Sequence, residues 1–128
     1  MKIMIRNVIL GTNNLAKAEV FYDSLLLLFD ATQVMRNERS ILWKPKDGGV
    51  GIAICTPYNQ QLATNGNGTM VGLQATSLEH LVTVYEAALR LGGTCEGPPG
   101  ERRPGIHAAY FRDLDWNKFG IFYIQAVK

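Results

Sequence analysis

The chain has 128 residues, of which 47% are apolar and 19% charged, so it has the makings of one compact domain and the wrong balance for disorder. A net charge of +2 is too small to build a nucleic-acid-binding face. Cys55 and Cys95, the only cysteines, read as free thiols, and the longest apolar run, Leu25–Phe29, is far short of the roughly 20 residues a membrane span needs. With no apolar stretch in Met1–Leu10 that resembles a secretory signal, a soluble cytoplasmic protein without membrane or nucleic-acid partners is expected.

In chain order, the alternating Ile and Val residues of Lys2–Gly11 predict a strand. Asn13 or Asn14 offers a cap to the helix that follows, whose apolar face is Leu15, Ala18, Tyr22, Leu25, Leu26 and Phe29. Ala31–Met35 and Ser40–Lys44 read as strands about a polar turn at Arg36–Arg39. Asp47-Gly48-Gly49 turns the chain into a further strand, Val50–Thr56. The polar segment Pro57–Gly68 is the expected linker.

Beyond the linker, Thr69–Ala75 reads as a strand. Thr76 with Glu79 suggests a capping box for a second helix, with Leu78, Leu81, Val82, Tyr85, Ala88 and Leu89 on its apolar face. Gly92-Gly93 supplies its C-terminal cap. A short strand Thr94–Gly97, a Pro/Gly loop Pro98–Gly105 and two strands, His107–Asp113 and Lys118–Val127, complete the chain. The two halves repeat each other. Val8–Leu28 lies over Val71–Leu91 at a gap-free offset of 63, with Leu15 on Leu78, Tyr22 on Tyr85 and Asn13 on Thr76. A single α+β domain, 1–128, made of modules 2–56 and 69–127 is therefore expected. Two like modules related by a pseudo-twofold predict a cleft for a small molecule.

Gly66–Gly93, Pro99-Gly100-Glu101-Arg102 and Tyr110–Lys118 resemble the glyoxalase/bleomycin-resistance/dioxygenase superfamily, also called vicinal oxygen chelate. Tyr110-Phe111-Arg112-Asp113-Leu114-Asp115-Trp116-Asn117-Lys118 is similar to that family's hairpin ending Asp-Pro-Asp-Gly-Asn, with Trp116 where the family has glycine. Leu10-Gly11-Thr12-Asn13 and Phe21-Tyr22 are similar to its first strand and helix. The resemblance implies paired βαβββ modules whose curled sheets enclose a pocket, and a homodimer. It also implies a divalent metal held by His, Gln or Glu on the first and last strands of each module. The matching positions here are Asn7, Ala53, Met70 and Gly120, a weak amide oxygen, a soft thioether and two residues with no donor. No metal or other cofactor is therefore expected.

Besides a fold used only for dimer contacts, two readings of function stay open. One is metal-free binding of a small apolar or aromatic molecule in the inter-module pocket. The other is a lyase, isomerase or dioxygenase of the same superfamily with an atypical site. Strand alternation gathers Asn7, Ile9, Cys55, Met70, Gln74 and Phe122 as candidate ligand contacts, each of which could equally be core. Trp43 and Tyr110 either stack on a planar ligand or pack. Arg102 either meets an anion or is solvated. His107, opening a strand at a rim, and the Cys55 thiol are weak candidates for catalysis, against a structural histidine and an inert thiol. His80 reads as solvated, and Asp113 and Asp115 as a turn pair that bonds its own backbone.

Overall fold

The computed structural model describes residues 2–125. The chain divides into two units, residues 1–64 and 65–128, with the division inside the expected linker. The first unit runs β1 (Asn7–Gly11), α1 (Leu15–Leu27), β2 (Ala31–Arg36), β3 (Ser40–Pro45) and β4 (Gly51–Cys55). The second runs β5 (Val71–Gln74), α2 (Leu78–Arg90), β6 (Thr94–Arg103), β7 (Ile106–Arg112) and β8 (Lys118–Ile124). Each is a βαβββ module with a four-stranded mixed sheet, in the order β1-β4-β3-β2 and β5-β8-β7-β6. In both, the first strand lies parallel to the last and the remaining pairs are antiparallel. The α+β class and the paired modules agree with the sequence. Residues 126 and 127 of the expected last strand lie outside the described residues.

The internal repeat extends to the helix ends and to the core. Both boundaries of α1 and α2, their N-caps Asn14 and Ser77, and the buried pairs Ala18/Leu81, Phe21/Val84, Tyr22/Tyr85 and Leu25/Ala88 all stand 63 residues apart. Asn14 accepts from the Lys17 amide at 3.1 Å and Ser77 from the His80 amide at 2.9 Å. The expected Thr76–Glu79 capping box is thus displaced by one residue. Ser77 is the cap, and His80 rather than Glu79 reaches back, its Nδ1 accepting from the Thr76 amide at 3.1 Å. His80 is therefore a capping residue and not merely a solvated one. The apolar face of α2 is also rotated from the expected one, with Val84 and Ala87 buried while Leu78 and Val82 are exposed.

In the first unit α1 packs on β2, β3 and β4. Phe21, Tyr22 and Leu25 are buried, as are Ile41, Trp43 and Ile54, and the Tyr22 and Trp43 rings lie 5.7 Å apart. In the second unit α2 packs on β6, β7 and β8, and Phe111 stacks on Phe119 at 5.2 Å. Full burial of one such apolar side chain contributes about 1.5–3 kcal/mol. The Tyr85 hydroxyl meets the Cys95 thiol where α2 crosses β6. That hydrogen bond, reinforced by burial, pushes the phenol up to about 12.

Two expected boundaries move by more than a few residues. Lys2–Gly11 is strand only from Asn7, because the β4 partner begins opposite it at Gly51. Ile3, Met4 and Ile5 precede the strand and are exposed. Thr94–Gly97 and the loop Pro98–Gly105 are in fact one long strand, β6, followed by a tight turn in which Gly105 has φ +80°. Pro98 and Pro99 are tolerated because β6 is the sheet's edge and its register shifts between Gly97 and Gly100. The two remaining strands of that module begin and end within a few residues of expectation.

The Asp113 turn follows the expectation for an aspartate that bonds its own backbone. Its Oδ1 accepts from the amides of Asp115 (2.9 Å) and Asn117 (2.8 Å), and its Oδ2 from Asn117 Nδ2 (2.9 Å). Trp116 occupies the glycine position with φ +72°. Arg112 answers that left-handed residue by donating to its carbonyl at 3.0 Å while its guanidinium lies over the indole.

A polar network ties α1 to the edge of its sheet. Gln33 Nε2 donates to Glu19 (2.8 Å) and Asp23 (2.9 Å), Arg36 pairs with Glu19, and the Trp43 indole donates to Asp23 at 2.9 Å. The hydrogen bonds from Gln33 and Arg36 hold the Glu19 carboxyl below its ordinary 4.5. A lowered folded value means stability that is present above that ordinary value and is lost as pH falls through the lower folded one. Between about pH 5 and pH 3 the urea midpoint of Glu19→Gln is expected to fall less than that of the parent, and parallel curves would contradict the assignment.

Candidate functional site

Each sheet has one face against its helix and one turned away, and alternation assigns every strand residue to one of them. In the second sheet Phe111, Phe119 and Ile121 belong to the α2 side and are fully buried. On the far side, Gly72 pairs with Gly120, Gly120 with Tyr110, and Gln74 and Ala108 both with Phe122. Lys118 shares that parity with Gly120 and Phe122, and β6 adds Gly97 opposite Tyr110 and Gly100 opposite Ala108. Tyr110 and Phe122 meet edge to face, with ring centres 5.8 Å apart and an interplanar angle of 82°.

Four glycines line this face, and none has a positive φ. What they provide is space. A Cβ on Gly120 would come within 2.7 Å of the Phe122 ring and 3.1 Å of the Tyr110 ring. One on Gly100 would come within 2.7 Å of the Arg102 guanidinium, one on Gly97 within 3.1 Å of Tyr110, and one on Gly72 within 3.3 Å of Phe122. Glycine inside a strand weakens it and marks close approach of another group. Here that group is the pair of rings with Arg102. The Arg102 guanidinium lies 5.5 Å from the Tyr110 ring centre and donates to the Pro98 carbonyl at 2.7 Å. The Lys118 ammonium lies 5.6 Å from the same centre.

Of the candidates read from the sequence, Gln74, Arg102, Tyr110 and Phe122 therefore come together on one face. Gln74 spends its amide on the carbonyls of Ala75 (2.9 Å) and Phe122 (3.2 Å). Met70 precedes β5 and is exposed. His107 differs in parity from Tyr110 and belongs to the α2 side. Its Nε2 is buried without a hydrogen bond, 3.7 Å from Glu101 Oε2, a separation too long for one. Lys118, Gly97 and Gly100 were not among the candidates. Counting by twos from Phe122 finds Lys118, but nothing in the sequence marks those glycines as clearance for a ring.

In the first unit, Asn7, Ile9, Ala53 and Cys55 share the face turned away from α1, Asn7 opposite Gly51, Ile9 opposite Ala53 and Cys55 opposite Gly11 and Ser40. Ile9 is 62% exposed. That unit contains no histidine to activate the Cys55 thiol. Trp43 does not join this face. It is buried on the α1 side with its indole bonded to Asp23, which is a packing position and not one open to a ligand.

The family's metal does not fit these residues. Ala53 and Gly120 carry no donor, and the space a side chain at residue 120 would enter is filled by Phe122 and Tyr110. Asn7 and Met70 are poor partners for a hard or borderline cation. Among the described residues no three His, Cys, Asp or Glu side chains cluster as a metal site would require. Nor is any described helix long and apolar enough to cross a membrane.

If the glycines serve as clearance, the cost of a side chain at residue 120 must depend on the ring beside it. Gly120→Ala is expected to cost about 1–2 kcal/mol, and most of that cost is expected to vanish when Phe122→Ala is present as well. Equal costs in the two backgrounds, measured by urea unfolding, would show that the ring is not the obstacle.

No protein-family model matches the chain, and no curated protein matches it significantly. Solved structures do. A glyoxalase/bleomycin resistance protein from Albidiferax ferrireducens is 35% identical with a TM-score of 0.85, over 94% of this chain and 98% of that one. A glyoxalase-related enzyme from Fulvimarina pelagi is 19% identical with a TM-score of 0.75, over 95% of this chain and 88% of that one. The fosfomycin resistance protein FosX from Mesorhizobium loti is 17% identical with a TM-score of 0.69, over 99% of this chain and 95% of that one. The latter two likenesses are of fold alone.

Proposed function

Because the chain belongs to the glyoxalase/bleomycin resistance protein/dioxygenase superfamily, we propose that it binds a small apolar or aromatic molecule, without a metal ion, against the face of the second sheet turned away from α2. The observation that carries this reading is the composition of that face. Tyr110 and Phe122 offer aromatic surface, Gly72, Gly97, Gly100 and Gly120 let those rings and the Arg102 guanidinium lie close against the strands, and a few polar groups lie at its margin. Apolar surface with a few directed polar groups is the usual make-up of a small-molecule site.

Metal-assisted lyase or dioxygenase chemistry would need an anchored cation with an open position for substrate. Asn7, Ala53, Met70 and Gly120 supply no such set, so no step is routed through a metal. Metal-free acid–base chemistry would need a group beside the ligand, and His107 belongs to the other face of β7.

The test joins metal analysis to thermal unfolding. The purified protein is expected to carry no stoichiometric zinc, nickel, manganese or iron, and EDTA is expected to leave its Tm unchanged. A panel of small aromatic compounds is expected to contain members that raise Tm by about 2–5 °C at saturating concentration. Stoichiometric metal together with a chelator-induced fall in Tm would overturn the reading, as would a panel that leaves Tm unmoved.

A further inference from the structure

We propose that the ligand of the second sheet carries an anionic group beside its aromatic body, and that Arg102 and Lys118 receive that group next to the Tyr110 ring. The inference rests on the small-molecule reading above and adds the ligand's charge to it.

Two cations lean on one aromatic ring, each within 5.6 Å of its centre. Among the described residues neither has a carboxylate partner within 4.0 Å. Three carboxylates near them in sequence are engaged elsewhere, Asp113 by the amides of Asp115 and Asn117. Glu96 is held by Arg112 at 2.7 Å. Glu101 lies opposite His107 in the β6–β7 register and accepts from the Gly105 amide at 3.0 Å. Arg102 spends only Nη2, on Pro98, and the Lys118 ammonium makes no hydrogen bond among the described residues. The two positive charges around Tyr110 therefore retain most of their donor capacity.

Like charges brought to one ring repel each other. Attraction to the ring face offsets that repulsion only in part, at about 0.5–1 kcal/mol per exposed cation. An anion beside the Tyr110 ring would be attracted by both charges and would find charge-assisted hydrogen-bond donors there. The strand also gives up side chains at Gly97 and Gly100 where a Cβ would press on the Arg102 guanidinium. Clearance for a cation is otherwise costly in a strand interior, and it fits a guanidinium that must stay placed over its ring. A planar carboxylate matches this arrangement, because its aromatic part meets Tyr110 and Phe122 while its oxygens face the forked donors of Arg102.

The experiment compares naphthoate with its neutral amide, naphthamide, titrated into the full-length protein at low salt and followed by ligand fluorescence. Wild-type protein is expected to bind naphthoate about tenfold more tightly than the amide. The double variant Arg102→Gln/Lys118→Gln is expected to lose that preference and to bind acid and amide alike. The single variant Lys118→Gln removes no hydrogen bond of the fold and is expected to lose part of the preference at unchanged Tm, so misfolding cannot account for the result. Equal binding of acid and amide by wild type would overturn the assignment of charge and leave small-molecule binding in place. A preference that survives in the double variant would also overturn it. Binding of neither compound would overturn the small-molecule reading and this inference with it.

Discussion

A Cβ at residue 120 would stand 2.7 Å from the Phe122 ring, and one at residue 100 would stand 2.7 Å from the Arg102 guanidinium. The arrangement on the second sheet depends on those two missing atoms. With them absent, Phe122 lies across β8 onto Tyr110, and Arg102 lies across β6 onto the other part of the same ring system. The position where this superfamily would carry a metal-binding side chain is thus emptied of donors and filled with aromatic carbon. A side chain long enough to reach a cation from residue 120 would collide with Phe122.

The fold that presents this face is a repeat carried by packing. Offsetting one helix by 63 residues reproduces the other's ends, its cap position and four of its five buried positions, although Leu25 becomes Ala88 and Phe21 becomes Val84. Side-chain volume changes between the modules while polarity and spacing persist, as expected where a helix need only cover one side of a four-stranded sheet. The side left uncovered by the helix is free to differ. In the first unit it carries Asn7, Ile9, Ala53 and Cys55, and in the second a cationic aromatic cluster.

Much of this was legible in the sequence because periodicity is local. The order of elements, both helices and the turn made by Asp113 follow from spacing and from residues whose conformational preferences are strong. Alternation also grouped Gly120 with Phe122. It could not say which parity faces the helix, and so Trp43 was read as a possible ligand contact when it anchors α1 through Asp23. His107 was read as a rim residue when it belongs with Phe111 on the α2 side. Pro98 and Pro99 looked like a loop because proline breaks interior strands, and only the sheet order reveals that β6 is an edge. The Thr76–Glu79 pattern failed by one residue because a histidine can close a cap as a glutamate does. Most hidden of all were the strand glycines, since nothing local distinguishes a glycine that turns the chain from one that makes way for a ring.

The central claim is that the glycine-lined face of the second sheet takes an organic ligand and not a metal. Amide-resolved NMR tests it directly, because glycine amides are well separated and report on their own surroundings. On addition of naphthoate, the amides of Gly72, Gly97, Gly100 and Gly120 should shift together while those of Gly48 and Gly92 stay in place, and zinc should move none of the four. Shifts that avoid those four glycines under naphthoate, or that gather on them under zinc, would contradict the account.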